Sequence, residues 1–416
     1  MAIVIKLRKG LDINLKGKAA IKKVKGATAT EYALEPNAFP GLTPKVVVKE
    51  GEHVLAGDPL LVNKQCPDVK FASPVSGTVK AVIRGERRRV LRVVVEADKE
   101  QQARDFGKRD AGALDGQGVI DTLCEAGLFG YINQLPYAVS TTPDQKPKGI
   151  FVSALRDMPL AGDFEVELEG NEEAFLTGLT ALQRIAPVHL GIGSKQTAKT
   201  LTDVKDIDLN VFDGPCPAGN VGVQVNHLDP VNKGEVVWTV DPTAVIFFGR
   251  LFLTGKVDLT RTVAIAGSRV KDPHYVVTLV GTPLKTILDG QIAATDDVRI
   301  INGNPLTGKH DSLDGYLGAH TSEVTVIPEG AHTDEMLGWI MPRCKEFSAS
   351  RSYFSWLMGK KHEYDLDARI KGGERHMIMS GEYDKVLPMD IYGEYLIKAI
   401  IAGDIDKQEQ LGIYEV

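Results

Sequence analysis

Apolar and polar positions change their rhythm several times along the chain. Val46, Val48, Val54, Leu60 and Val62 are interrupted by Gly51 and by Gly57-Asp58, a strand-turn-strand pattern in which glycine supplies backbone conformations closed to other residues. FASPVSGTVKAVI (71–83) repeats it, with Pro74 and Gly77 on either side of a turn. Residues 99–118 are polar and glycine-bearing and read as a crossing between domains. Beyond them the pattern alternates. VIDTLCEAGLF (119–129) has helical spacing, GIFVSAL (149–155) is a buried-strand run, EEAFLTGLTALQRI (172–185) is an amphipathic helix and PVHLGIG (187–193) is another strand. DLNVFDG (208–214) and AVIFFGR (244–250) continue the series. From 260 the order is two strands (260–270 and 274–281), a short helix (282–290) and two further strands (298–304 and 322–330). Helical spacing returns over 387–412 behind Pro388-Met389-Asp390.

The expected fold class is therefore α/β multidomain. A barrel-sandwich β-domain is expected over 1–104, followed by a Rossmann-like parallel α/β domain over 105–256, because strands separated by helices imply a parallel sheet. A β-grasp module of the SLBB-like kind is expected over 257–330 and a helical C-terminal segment over 331–416. The first domain resembles biotinyl and lipoyl domains, whose hairpin tip presents a lysine for covalent modification. Here Gln65-Cys66-Pro67 occupy the tip, and Lys64 and Lys70 on either side lack the context of a modified lysine. Scaffold use is the expectation.

Composition narrows the function classes. A chain of 416 residues with 49 basic and 55 acidic side chains is near charge balance, and no basic stripe with interleaved aromatics marks a nucleic-acid surface. The dense basic run 84–92 reads as a hairpin with a solvated tip, the alternative being a contact for an acidic partner or lipid headgroups. No stretch approaches the roughly 18 apolar residues of a spanning helix. Cys66, Cys124, Cys216 and Cys344 are scattered with no C-x-x-C spacing, so neither zinc nor an iron–sulfur cluster is expected on this chain.

Several chemical signatures are incomplete. Gly303 to Lys309 has the spacing of a phosphate-binding loop, but His310 stands where Ser or Thr should hold magnesium and Pro305 removes an amide donor; a turn is expected. Gly191 and Gly193 follow a strand without the third glycine of a dinucleotide site. Leu366 takes the place of the second histidine in an HExxH motif opened by His362-Glu363. No catalytic residue and no metal ligand is expected.

Residues 212–257, with AIAGSRVKDP (264–273) and 372–404, resemble the A subunit of the bacterial sodium-translocating NADH:quinone reductases, and the resemblance extends over essentially the whole chain in order. Gly214-Pro215-Cys216-Pro217-Ala218-Gly219, Val237-Trp238-Thr239 and the closing 396–404 run carry it, with Cys216 where that family usually has histidine. The resemblance implies a peripheral subunit on the cytoplasmic face of the bacterial inner membrane, with no span of its own. It implies five other subunits in a translocase that oxidises NADH, reduces ubiquinone to ubiquinol and exports Na+. It places FMN, FAD, riboflavin and Fe–S centres on those partners and no cofactor on this chain, which alone is expected not to be catalytic. Family members are expected to run a little past Val416.

The α/β domain is also similar to the NADH- and FMN-binding subunit of complex I and to the C subunit of the Rnf complex, so the alternative is a flavin-binding NADH dehydrogenase subunit. Those relatives carry a glycine-rich flavin loop. The comparable turn here, residues 125–136, has Leu128, Phe129 and Tyr131 where phosphate would need a bare backbone, and the flavin site reads as lost. A quinone would require an aromatic slot with a few polar groups. Tyr32 and Phe39 on one loop, and Tyr131, Gln134 and Tyr137 on another, are the candidates, although the same rings also suit plain packing between the barrel and the α/β sheet. His227 and Asp229 are expected as ordinary loop residues.

Overall fold

The computed structural model describes residues 3–415 apart from 294–296, 332–336, 338–339, 371–375 and 379. Residues 372–375 and 379 of the stretch resembling the reductase family thus lie outside the described residues.

The barrel-sandwich expectation is borne out. One sheet orders Glu31–Leu34, Val90–Ala97, Gly77–Arg84 and His53–Val54, and a second orders Pro44–Val46, Pro59–Asn63 and Lys70–Ala72. These strands face a common core containing Leu60, Leu61, Phe71, Val79, Val93 and Val95; Gly77 and Val79 alternate with exposed Thr78 and Lys80, whereas Leu60 and Leu61 are both buried beside an irregularity in the strand pairing. The basic run is the hairpin tip between Gly77–Arg84 and Val90–Ala97. At the other tip Lys64 is exposed, and the turn closes through Val69 N–H to the Cys66 carbonyl (3.0 Å).

Upstream of the barrel, the chain lends strands elsewhere. Ile3–Lys6 pairs in parallel with Asp208–Asp213 of the α/β sheet, and Lys23–Lys25 pairs in parallel with His274–Leu279 of the third sheet.

The α/β sheet has the order Ile3–Lys6, Asp208–Asp213, Val188–Gly193, Ile150–Ser153, Val237–Val240, Ile132–Leu135, Val139–Ser140. The first five strands are parallel and the last two form an antiparallel edge hairpin. The helices Glu172–Gln183 and Pro242–Thr254 cover one part of it. AVIFFGR is helical, lying inside Pro242–Thr254, where the series of strand runs could have been extended. A short apolar run fits a buried strand and a buried helix equally well by periodicity. The flanking residues decide. The Asp241 carboxylate accepts from Thr243 N–H, Pro242 begins the first turn and Gly255 ends the helix at φ 73°, which is a start and a stop for a helix.

The third sheet orders Lys309–Asp311, Val298–Asn302, Glu323–Pro328, Thr260–Ala266, His274–Leu279 and Lys23–Lys25, with the short helix Leu284–Ile287 against its own core. Gly303 to Gly308 is the turn between the first two of these strands in space, held by the Asn304 side chain, which accepts from Leu306 and Thr307 N–H (3.0 Å each). The C-terminal helices are Glu382–Val386, Gly393–Ala402 and Ile405–Gln410. No helix among the described residues is long and apolar enough to cross a membrane.

Candidate functional site

The chain runs from Ile150–Ser153 to Val188–Gly193 to Asp208–Asp213 in one direction across the sheet. It then returns to place Val237–Val240 on the other side of Ile150–Ser153. The loops leaving the carboxyl ends of Ile150–Ser153 and Val237–Val240 therefore diverge, and a crevice opens between them, the usual ligand position in a doubly wound sheet. A cavity of about 330 Å³ lies there, lined by Ser153, Arg156, Asp157 and Asp241 from the α/β domain and by His320 and Glu323 from the third sheet.

Its lining is acidic on balance, with Asp157, Asp241 and Glu323 against Arg156. Arg156 is nearly buried and pairs with Glu167 (3.1 Å) and Asp241 (3.5 Å), donates to Thr243 Oγ1 (2.8 Å) and lies over the Phe164 ring (5.2 Å). Glu167 also accepts from Thr243 Oγ1 (2.7 Å) and Thr262 N–H (3.0 Å). Burial works to raise the Asp241 carboxyl, but Arg156, Arg261 and His320 outweigh it and hold the group below the usual aspartate value. Glu323 accepts from Ser322 Oγ (2.7 Å) and Gly162 N–H (3.3 Å). Asp157, pushed up by burial, accepts from Gly219 N–H (2.8 Å), just ahead of the helix Val221–Leu228. A protein carboxylate thus fills the amide cradle at a helix start, where a doubly wound fold binds phosphate.

Other groups are left without partners. His320 Nε2, Asn133 Oδ1, Tyr131 Oη and Arg261 Nε and Nη2 are enclosed with no hydrogen bond, although the third guanidinium nitrogen of Arg261, Nη1, donates to the Ala319 carbonyl (2.7 Å). Burial pushes the His320 imidazole down to about 4, so it is neutral near pH 7. His320 and Asn133 both line the cavity, and His320 also lines an adjoining cleft of about 330 Å³ with Glu35, Asn37 and Lys309.

The structure brings two of the five sequence candidates together. Phe39 and Tyr131 meet edge to face at 5.2 Å, and both contact the His320 ring, at 5.5 and 5.3 Å. Tyr32 is buried in the barrel, its hydroxyl accepting from Ala29 N–H (3.3 Å). Gln134 and Tyr137 lie at the edge hairpin: the Gln134 amide oxygen accepts from Thr141 Oγ1 (2.9 Å), and the Tyr137 ring is 66% exposed. His227 lies in the last turn of the helix Val221–Leu228 rather than in a loop, and its Nδ1 sits 3.1 Å from the Val223 carbonyl one turn back. Asp229 pairs with Lys148 (2.5 Å). Sequence reasoning missed Arg156, Asp157, Asp241, Asn133 and His320. Only Arg156-Asp157 and Asp241 carried a signal, each following a buried-strand run where carboxyl-end loops begin.

The turn comparable to a flavin loop is filled by protein. Leu128 and Phe129 are wholly buried, a Cβ on Gly127 would lie 2.8 Å from Ala72 N, and Gly130 faces the Phe71 ring. The barrel strand Lys70–Ala72 thus stands where an approaching cofactor would need space.

Family-level comparison matches residues 5–98 to an NqrA N-terminal barrel-sandwich hybrid domain, 114–257 to an NqrA second alpha/beta domain and 262–312 to an NQRA C-terminal domain. A protein of Photorhabdus laumondii, named as the A subunit of a Na(+)-translocating NADH-quinone reductase, is 34% identical, with 99% of this chain and 93% of that one aligned. One of Yersinia pestis with the same name is 33% identical over the same shares. Among solved structures, an NAD+-reducing [NiFe]-hydrogenase chain aligns with 53% of this chain and 45% of its own at 14% identity and a TM-score of 0.32, too distant to carry an argument.

Proposed function

Since the chain belongs to the NqrA family, the A subunits of the Na(+)-translocating NADH-quinone reductases, we propose that it serves as the cofactor-free peripheral subunit of such a complex. In this reading it sits on the cytoplasmic face of the bacterial inner membrane with five partner subunits. FMN, FAD, riboflavin and Fe–S centres on those partners carry electrons from NADH to ubiquinone and drive Na+ export.

The observation that carries the cofactor-free reading is the buried turn at Gly127 to Tyr131. A flavin phosphate needs amides it can approach closely, and here Leu128, Phe129 and the barrel strand take that volume. Asp157 in the second amide cradle opposes an anionic ligand there as well. The alternative, a flavin-binding NADH dehydrogenase subunit, requires both places to be open.

For ubiquinone, the reading supported best is a contact at the His320 end of the cavity, not one shared by all five aromatic and amide candidates. A quinone headgroup is neutral and offers carbonyl acceptors. His320 is neutral with Nε2 unpartnered and can donate to such a carbonyl as its Nε2–H tautomer, while the unpartnered Asn133 amide oxygen suits a quinol hydroxyl, and Arg156 is already matched by two carboxylates.

Co-purification from detergent-solubilised native membranes, followed by an acid-extract flavin spectrum of the isolated chain, tests the assignment. Hydrophobic, flavin-bearing partners together with a colourless isolated chain are expected. Flavin released from the isolated chain would favour the dehydrogenase reading. Calorimetric titration with ubiquinone-1 should show binding that His320→Ala weakens by about tenfold, the loss of one hydrogen bond at about 1.4 kcal/mol. Equal affinity in the folded variant would move the quinone to a membrane partner.

A further inference from the structure

Apolar side chains that stay in water mark surfaces meant to be covered, and the short 3-10 turn Phe354–Met358 carries four in five residues. Phe354 is 55% exposed, Trp356 50%, Leu357 65% and Met358 56%, while Ser355 alone points inward. Phe354 N–H donates to the Pro342 carbonyl (3.0 Å), which brings the exposed Ile340 and Met341 beside the turn. The patch does not hang free. The Asn14 amide donates to the Lys360 carbonyl (2.7 Å), and Tyr364, a few residues on, pairs with the backbone of Asn14 and Lys16. An N-terminal strap thereby fixes the turn to the body of the molecule.

Charge identifies the occupant. Residues 343–361 contain Arg343, Lys345, Arg351, Lys360 and Lys361 against one carboxylate, Glu346, in a chain whose net charge is −6. Arg351 lies over the Trp356 ring at 5.7 Å and Arg343 over Tyr353 at 5.6 Å. A second exposed apolar face, with Ile400, Ile401 and Ile405 on the C-terminal helices, has the opposite surroundings: residues 390–409 hold five carboxylates and two lysines. Apolar side chains ringed by carboxylates are repelled by an anionic membrane. Aromatic and aliphatic side chains ringed by Arg and Lys have the composition of a membrane-interface anchor, the rings at headgroup depth and the cations on lipid phosphates.

We propose that the Phe354–Met358 turn, with Arg351, Lys360 and Lys361 around it, is a lipid-docking surface that seats this chain on an anionic leaflet. The contact goes beyond membership of the complex, since it needs no other protein. Its failure would leave the place of the chain in the reductase complex standing.

The test is co-sedimentation of the full chain with phosphatidylcholine vesicles and with vesicles about one-third phosphatidylglycerol. Binding is expected only to the anionic vesicles, weakening as salt is raised. Replacing Lys360 and Lys361 by Ala should lower the partition coefficient about thirtyfold, at about 1 kcal/mol per cation. Trp356→Ala with Leu357→Ala should lower it at least about tenfold through lost apolar insertion, with circular dichroism unchanged because both side chains lie outside the core. No sedimentation of the parent chain with anionic vesicles, equal binding to both vesicle types, or parent-like binding of either double variant would overturn the proposal and assign the patch to a partner protein.

Discussion

Arg156 shows what a buried charge costs when its neighbours are disturbed. The guanidinium has given up water and is matched by Glu167 and Asp241. Replacing Arg156 with Met would leave two carboxylates facing Arg261 alone in a largely enclosed site, and breaking a buried pair typically costs about 3–5 kcal/mol, a ceiling here because Asp241 reaches the cavity. Arg156→Met should therefore lower the denaturation midpoint strongly, whereas Lys80→Ala, which removes a surface pair with Glu31, should change it little. Parent-like stability in Arg156→Met would mean that the cluster is not dry.

His320 makes a second prediction at this scale. Its imidazole titrates near 4 in the fold, against about 6.5 in an unfolded chain. The unfolded state therefore binds the extra proton first. Stability should fall as pH drops from about 6.5 to about 4, by at most about 1.4 kcal/mol per unit, a ceiling because the ring edge reaches the cavity. His320→Gln should flatten that slope in urea titrations at pH 7, 5.5 and 4.5. Asp241 acts in a lower window. Its depressed carboxyl contributes stability above the ordinary aspartate value, and that contribution is lost only as pH falls through the depressed one.

Among elements, the helices Glu172–Gln183 and Pro242–Thr254 cross through two glycines. A Cβ on Gly178 would fall on the Val245 carbonyl, and one on Gly249 would fall inside the backbone of Ala174. Neither neighbour is a flexible side-chain end, so the helices would have to separate. Gly249→Ala gains helix propensity of about 1 kcal/mol but should lose more through overpacking, giving a net drop in melting temperature by calorimetry. A rise would show that the crossing can relax. The pattern of residues 242–254 contained the cap, the proline and the terminal glycine that make this helix, but its apolar run resembled the buried strands around it. Element type was legible in GIFVSAL, PVHLGIG and EEAFLTGLTALQRI because their length and flanks agreed with their period.

On the scale of the whole molecule, the first twenty-five residues tie separate sheets together. Ile3–Lys6 extends the α/β sheet and Lys23–Lys25 extends the β-grasp sheet before the barrel begins, and residues 14–16 bind the C-terminal segment near Tyr364. A chain beginning at residue 27 should keep the barrel but unfold at lower temperature, in a broader transition, because two sheets lose their edge strands and bare Asp208–Asp213 and His274–Leu279 and the strap to Tyr364 is lost. An unchanged single transition would show that these pairings are peripheral.

What the sequence determined by itself was whatever depends on near neighbours. The barrel strands with their glycine turns, the alternation that makes a parallel sheet, the turn at Gly303 to Gly308 and the bulky Leu128 and Phe129 in place of phosphate-binding glycines were all readable as period and turn chemistry. The family-specific runs at 214–219 and 237–239 were readable as well. Tertiary structure alone decided which strands stand side by side. Placing Val237–Val240 next to Ile150–Ser153 opens the crevice, brings Arg156 to Asp241 and sets His320, from a distant loop, against Phe39 and Tyr131. No local pattern encodes that convergence, because its partners are separated by many residues and are selected by burial of shared surface. The same separation sends Tyr32 into the barrel core and leaves Tyr137 in solvent, although their loops alone make the two rings equal candidates.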